Sequence, residues 1–294
     1  MIMELRVLEY FLAVSREKSF SRAAEAIHIS QPTLSRQIAD LEAELGKPLF
    51  VRGSRQLTLT DEGLILKKRA EEILRLVDKT GQEIEGCESE TTGNIYIGAG
   101  ETYGMHIITR AFAELRKKHP GIRLHIASGD TADLSVQLDH GLIDLGITFG
   151  KVDYDRYEYI RLPHEDVLGV YMPKDDELAE KEKIRPKKDL RNRSLIINRE
   201  TKGDLIPGVP LNLFHTAGTY NLLYNATLMA EDGIGLVVGL DHIIHTEGTG
   251  LCFRPFEPEY RVSKNLIWKK QQVLSRPVTL LLEEVRKLLS SEEE

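Results

Sequence analysis

From Asp61 to about Glu88 the chain contains no proline, and Gly63, Leu66, Ala70, Ile73, Val77, Thr80 and Ile84 recur at spacings of 3, 4, 3, 4, 3 and 4. A heptad repeat of this kind places all seven on one seam of a long helix. The small segment before it offers nothing to cover so long a seam. The expectation is therefore that two copies pair through Leu66, Ala70, Ile73, Val77 and Ile84. Packing of the helix onto the chain's own second domain is the alternative. The helix also divides the chain into a head (1–60), a linker helix (61–90) and a body (91–294).

The 294 residues suffice for roughly two domains at about 150 residues each. With 41% hydrophobic and 29% charged residues the chain can bury real cores. No apolar run approaches the ~18 residues of a membrane span. The start, Met1-Ile2-Met3-Glu4-Leu5-Arg6, lacks the pattern of a signal peptide. Cys87 and Cys252 lie far apart, which fits two reduced thiols in a cytoplasmic protein and no cysteine metal site. The net charge of −7 is uneven. Residues 1–60 carry 8 basic and 7 acidic side chains, residues 61–92 carry 5 and 9, and residues 93–294 carry 26 and 30. Only the head escapes the acidic excess, which suits a nucleic-acid partner if its basic groups are well placed.

In the head, Leu5, Leu8, Phe11 and Leu12 mark one face of a helix over about Glu4–Ser15. Ser19 or Ser21 caps a short second helix. Ser30 caps a third, about Gln31–Leu45, buried through Leu34, Ile38, Leu41 and Leu45, and Gly46 ends it. Pro32 is tolerated in its first turn. Two short alternating runs flank Gly53-Ser54 and predict a hairpin. Three helices and a hairpin make a winged helix-turn-helix.

Nine of the eleven prolines lie beyond residue 92, where β-rich runs alternate with helical patterns. Ile95–Ala99, Ile122–Ile126 and Asp144–Thr148 predict strands with helices between them, a doubly wound unit. The chain then crosses near Leu162–Tyr171 into a second lobe. That lobe has a strand at Ser194–Asn198, a helix at about Tyr220–Glu231 and a strand at Ile234–Gly239. A return near Ser263–Trp268 and a final helix over Val278–Leu289 complete it. Lobe I is thus 91–162 with 268–294, and lobe II is 163–267. Such sheets bind ligands at the carboxyl ends of their strands.

These patterns resemble the LysR-type bacterial transcriptional regulators. The resemblance is carried by Leu8–Val14, Ser19–Ala24, Ser30–Ile38, Leu41-Glu42, Leu45-Gly46, Leu49–Arg52, Leu57–Thr60 with Gly63, Gly141–Ile147 and Gly233–Val238. It covers the whole chain and is most specific over the first 65 residues. It implies a DNA-binding head, a linker-helix dimer interface, and an effector domain like periplasmic binding proteins. Homodimer or homotetramer assembly and contact with RNA polymerase are implied too. The family often closes the Ile234–Gly239 strand with proline, where this chain has Val238-Gly239.

For DNA, the candidates are Ser21, Arg22, Gln31, Pro32, Thr33, Ser35 and Arg36 around the recognition helix, with Arg52 and Arg55 flanking the hairpin tip. Glutamine can pair with adenine and arginine with guanine, each discriminating by ~1–3 kcal/mol. Wing arginines suit phosphates. Serines and threonines at a helix start can also be mere caps. For a small-molecule effector, the strand-end candidates are Gly100, Glu101, Thr102, Ser128, Gly129, Thr148 and Phe149 from lobe I, with Asn198, Thr219 and Gly239 from lobe II. Glu101 would repel a carboxylate if it pointed inward. No cofactor or metal is expected: the histidines, among them His106, His119, His125, His140 and His164, form no ligand spacing with cysteine or aspartate. Neither a Gly-x-Ser-x-Gly elbow nor a phosphate loop is present, which argues against an enzyme. A solute-binding module with a degenerate head is the other alternative.

Overall fold

The computed structural model describes residues 3–52, 57–85 and 92–292. Two compact units emerge, Met1–Glu85 and Gly86–Glu294.

The first unit opens with α1 (Leu5–Glu17), α2 (Phe20–Ala26) and α3 (Gln31–Leu45). Serine hydroxyls set two of the starts. Ser19 accepts from the Arg22 N–H, and Ser30 accepts from the Thr33 N–H at 3.3 Å. Gly46 closes α3 at φ +66°, the left-handed cap. One face of each helix feeds a single core: Leu8, Phe11 and Val14, then Ala23 and Ala24, then Leu34, Ile38 and Leu41. β1 (Phe50–Arg52) and β2 (Leu57–Leu59) pair antiparallel, and the tip between them lies outside the described residues. The Phe50 ring sits 5.3 Å from that of Phe11 and 5.9 Å from that of Phe20. The Glu42 carboxylate accepts from the N–H groups of Leu49 and Phe50, which fixes the hairpin to α3.

α4 (Asp61–Glu85) completes this unit. The Thr60 hydroxyl accepts from the Gly63 N–H at 3.0 Å and donates to the Pro48 carbonyl at 2.8 Å. A Cβ on Gly63 would lie 2.2 Å from the Leu49 carbonyl oxygen, so only glycine allows this approach. Leu66 and Ala70 are buried in the head's own core. The expected dimer seam is corrected here: its first half faces inward within one chain. The head's core reaches along α4 as far as Leu74, which packs against it partly buried. Ile73, Val77 and Ile84 are 38%, 44% and 72% exposed.

The second unit holds β3 (Gly93–Ala99), α5 (Met105–Lys118), β4 (Ile122–Ser128), α6 (Thr131–Asp139), β5 (Leu145–Phe149), β6 (Tyr157–Pro173) and α7 (Pro186–Asp189). β7 (Ser194–Asn198), β8 (Asp204–Ile206), β9 (Val209–Pro210), β10 (His215–Tyr220), α8 (Leu223–Glu231), β11 (Leu236–Leu240), β12 (Leu251–Lys269) and α9 (Arg276–Glu292) follow. Eight strands form one sheet in the order β10-β7-β11-β6-β12-β5-β3-β4. β3, β4 and β5 run parallel, as do β7, β10 and β11. Between them lie the two long crossing strands, β6 and β12, antiparallel to each other. Lobe I buries Ile97, Ile108, Leu145, Leu266, Leu281 and Val285. Lobe II buries Val170, Ile184, Leu195, Ile197, Val238 and Phe256 on one face, and Tyr171, Ile196 and Val237 on the other.

The crossings differ from expectation in detail. β12 already pairs with β5 from Lys264, so the return into lobe I is made before residue 268. The helix expected from Tyr220 starts at Leu223, because Tyr220 ends the edge strand β10. β10 reads His215-Thr216-Ala217-Gly218-Thr219-Tyr220, too polar and too rich in small residues to signal a strand.

At the crossing the Lys264 ammonium meets the Asp166 carboxylate, and the two side chains are 1% and 3% exposed. The Thr102 hydroxyl donates to the same carboxylate at 2.6 Å and accepts from the Gly104 N–H. Removing one partner would leave a buried charge, so Lys264→Met should cost about 3–5 kcal/mol in denaturant unfolding. Lys264→Met with Asp166→Leu should recover most of that. A loss in the double variant equal to the sum of the two single losses would show that the charges are not coupled.

Candidate nucleic-acid interface and ligand cleft

α3 divides its residues by face. Leu34, Ile38 and Leu41 lie in the core, while Gln31, Pro32, Thr33 and Arg36 are exposed and Ser35 is half-buried. The Thr33 hydroxyl lies 2.7 Å from that of Ser30, so it belongs to the cap as well as to the exposed face. Ser21 and Arg22 are exposed on α2, and the Arg22 guanidinium donates to the Glu17 carbonyl, bracing the end of α1. Arg52 ends β1, but its side chain lies outside the described residues, as does the whole of Arg55. The face presents a guanidinium, an amide and hydroxyls on a rigid helix, the groups that read base edges in a major groove.

In the second unit a cleft of about 470 Å³ opens at the carboxyl ends of the strands of both lobes. Of the expected residues, Gly100, Glu101, Gly129 and Phe149 line it from lobe I, and Asn198 and Gly239 from lobe II. Four expected residues do not. Thr102 is turned to Asp166, and with Ser128 it borders a neighbouring, more open pocket of about 370 Å³ that also holds Tyr103, His106, His242 and His245. Thr148 is buried against Asn265 on β12, and Thr219 is exposed on the edge strand. Alternation along a strand explains Thr148 and Thr219: the strand-end rule finds the place but not the face.

The cleft's polar groups come largely from side chains that reach between the lobes. The Asp130 carboxylate caps α6 through the Asp133 N–H at 3.0 Å and also meets Arg199. Arg199 donates further to Asp133 at 2.8 Å. Glu200 accepts from the N–H groups of Thr131 and Ala132 at 3.3 and 3.2 Å, at the start of α6. In the opposite direction, Glu101 accepts from the Leu223 N–H at the start of α8. The Tyr220 hydroxyl donates to the Val238 carbonyl at 2.7 Å, and burial pushes that phenol up. Glu200, Tyr220, Leu223 and Tyr260 were not expected. Glu200 stands just past Asn198, as Glu101 stands past β3, so a wider window at the strand end would have found it; Tyr260, inside β12, carried no signal.

The sequence profile described as "LysR substrate binding domain" matches residues 88–290, and that described as "Bacterial regulatory helix-turn-helix protein, lysR family" matches residues 5–64. The chain belongs to the LysR family. A LysR-type relative in Emiliania huxleyi, named a probable RuBisCO transcriptional regulator, is 32% identical over 196 residues. That alignment covers 66% of this chain and 62% of the relative, so the chain spans less than two thirds of that protein's length. The activator of hydrogen peroxide-inducible genes of Pectobacterium carotovorum subsp. carotovorum is 29% identical over 279 residues, 91% of this chain and 90% of that one. Among solved structures, CbnR, described as a LysR family transcriptional regulator, shares the fold with a TM-score of 0.71, 18% identity, and coverage of 97% and 99%. Among the described residues no helix is long and apolar enough to cross a membrane.

The hydrogen bond from the Asp133 N–H, then the Arg199 guanidinium, hold the Asp130 carboxyl below its ordinary 3.8 against the opposing effect of burial. A lowered folded value means stabilisation that is complete above the ordinary value and lost as pH falls through the lowered one. An asparagine in place of Asp130 would keep the cap without the charge. The melting-temperature gap between the wild type and Asp130→Asn should thus stay constant from about pH 8 to about pH 5 and close in stronger acid. A gap that persists down to about pH 2 would show that the charge contributes nothing.

Proposed function

We propose that the protein is a sequence-specific DNA-binding transcription regulator, not an enzyme, that acts in the cytoplasm and responds to a small organic molecule held in the cleft. The observation that carries the reading is the division of α3, with an apolar face in the core and Gln31, Thr33 and Arg36 outward from a capped helix start. Family membership supports it, and the CbnR structure described as complexed with its target DNA supports the docking of such a head. Arg52 and Arg55 would supply phosphate contacts. Ile73, Val77 and Ile84 are the candidates for pairing two copies, as a homodimer or within a homotetramer. RNA polymerase is the further partner.

The name of the Pectobacterium relative raises a response to peroxide, for which a reactive cysteine thiol would be one chemical means. Cys252 argues for a bound ligand instead: it is buried in the lobe II core, and burial pushes its thiol up, away from the reactive thiolate. Cys87 lies outside the described residues.

The test is a mobility-shift titration on the DNA upstream of the protein's own gene. Arg36→Ala should weaken that complex by ~1–3 kcal/mol, roughly 5- to 150-fold, while leaving non-specific binding nearly unchanged. No specific complex with the wild type would reduce the chain to a solute-binding module. A preserved ratio for the variant would place base reading elsewhere.

Val77→Glu should dissociate the oligomer in light scattering, since it places like charges in a desolvated seam. The head should stay folded, because Val77 lies outside its core. A variant that remains oligomeric would assign the assembly to another surface.

A further inference from the structure

We propose that the cleft takes an organic cation, an amine without a carboxylate on an aromatic or apolar body. This rests on the reading of the cleft as a ligand site. An anion would be expected at the starts of α6 and α8, where unpaired N–H groups converge on the cleft. Both places are already filled by the chain itself: Glu200 from lobe II sits on α6, and Glu101 from lobe I sits on α8. A carboxylate ligand would have to displace one of them.

Charge points the same way. Glu101, Asp130 and Glu200 line the cleft, and among the described residues no lysine, arginine or histidine does. Arg199 stands behind the lining on Asp130. Three carboxylates, one guanidinium and two helix ends of about half a charge each leave the site negative by about one charge. Each carboxylate oxygen has two acceptor sites, and the N–H groups of α6 and α8 use one on each contacting oxygen, so acceptors remain for an ammonium. An ammonium adds to this arrangement without dismantling a cap.

The walls suit the rest of such a molecule. Phe149, Tyr220 and Tyr260 line the cleft with aromatic side chains. The Tyr220 hydroxyl is spent on the Val238 carbonyl, so this residue offers its ring rather than a donor. Aromatic faces favour both an apolar body and a cation.

Three probes of one shape separate the possibilities on the full chain: phenethylamine, phenylalanine and 3-phenylpropionate. Thermal shift and calorimetry should show binding by phenethylamine, binding at least tenfold weaker by phenylalanine, and none by 3-phenylpropionate. Glu101→Gln and Glu200→Gln should each cut phenethylamine affinity at least fivefold, with upstream-DNA binding retained as the check on folding. Stabilisation by 3-phenylpropionate in place of the amine overturns the assignment. Unchanged amine affinity in both variants, or no shift by any probe, overturns it as well. Failure of the ligand-sensing reading shows differently: a deproteinised extract of the source cells then leaves the DNA complex unaltered, whatever the charge of its components.

Discussion

The crossing of the second unit is built around one buried ion pair, neither charge of which can be left without the other. β6 and β12 carry the chain between lobes, and Lys264 and Asp166 meet there at 1% and 3% exposure. Two charges withdrawn from water are tolerable only with close pairing and further hydrogen bonds. Thr102 supplies one, and its own oxygen takes the Gly104 N–H, so the loop after β3 is tied to the crossing. Nearby, Asp241 accepts from the Val167 N–H at 2.7 Å and ties the end of β11 to β6. The strand ends that form the cleft are thus anchored at the crossing.

That anchoring explains which parts of the site the sequence revealed. Gly100, Glu101, Gly129, Asn198 and Gly239 follow from the rule that ligands meet strand ends, because position along a strand is legible in hydrophobic runs. Thr102 looks the same in the sequence, yet its partner lies 64 residues away on β6. Pairing over such a distance has no periodic signature. The same limit hid the caps from Glu101 to α8 and from Glu200 to α6, whose partners lie 122 residues from Glu101 and 69 and 68 residues from Glu200.

The head was legible for the opposite reason. Its caps span three residues, Ser19 to Arg22 and Ser30 to Thr33, and its core repeats with helical spacing. The one misreading, of α4, came from treating a seam as a single surface. Leu66 and Ala70 share a seam with Ile73, Val77 and Ile84, but of these five the head's core takes in only the first two.

This division gives α4 two physically separate tasks. Its first turns are held by Gly63 against the Leu49 carbonyl and by Leu66 and Ala70 in the core, so a loss there is a loss of head stability, on the scale of a deleted core side chain. Its later turns bury little within the head, and their apolar side chains stabilise the protein only if another surface covers them. Assembly can therefore be weakened at Ile73, Val77 and Ile84, which lie outside the head's core, without unfolding the head. Substitutions before Ile73 alter both at once, because a helix whose start is loose cannot present its end in a fixed direction.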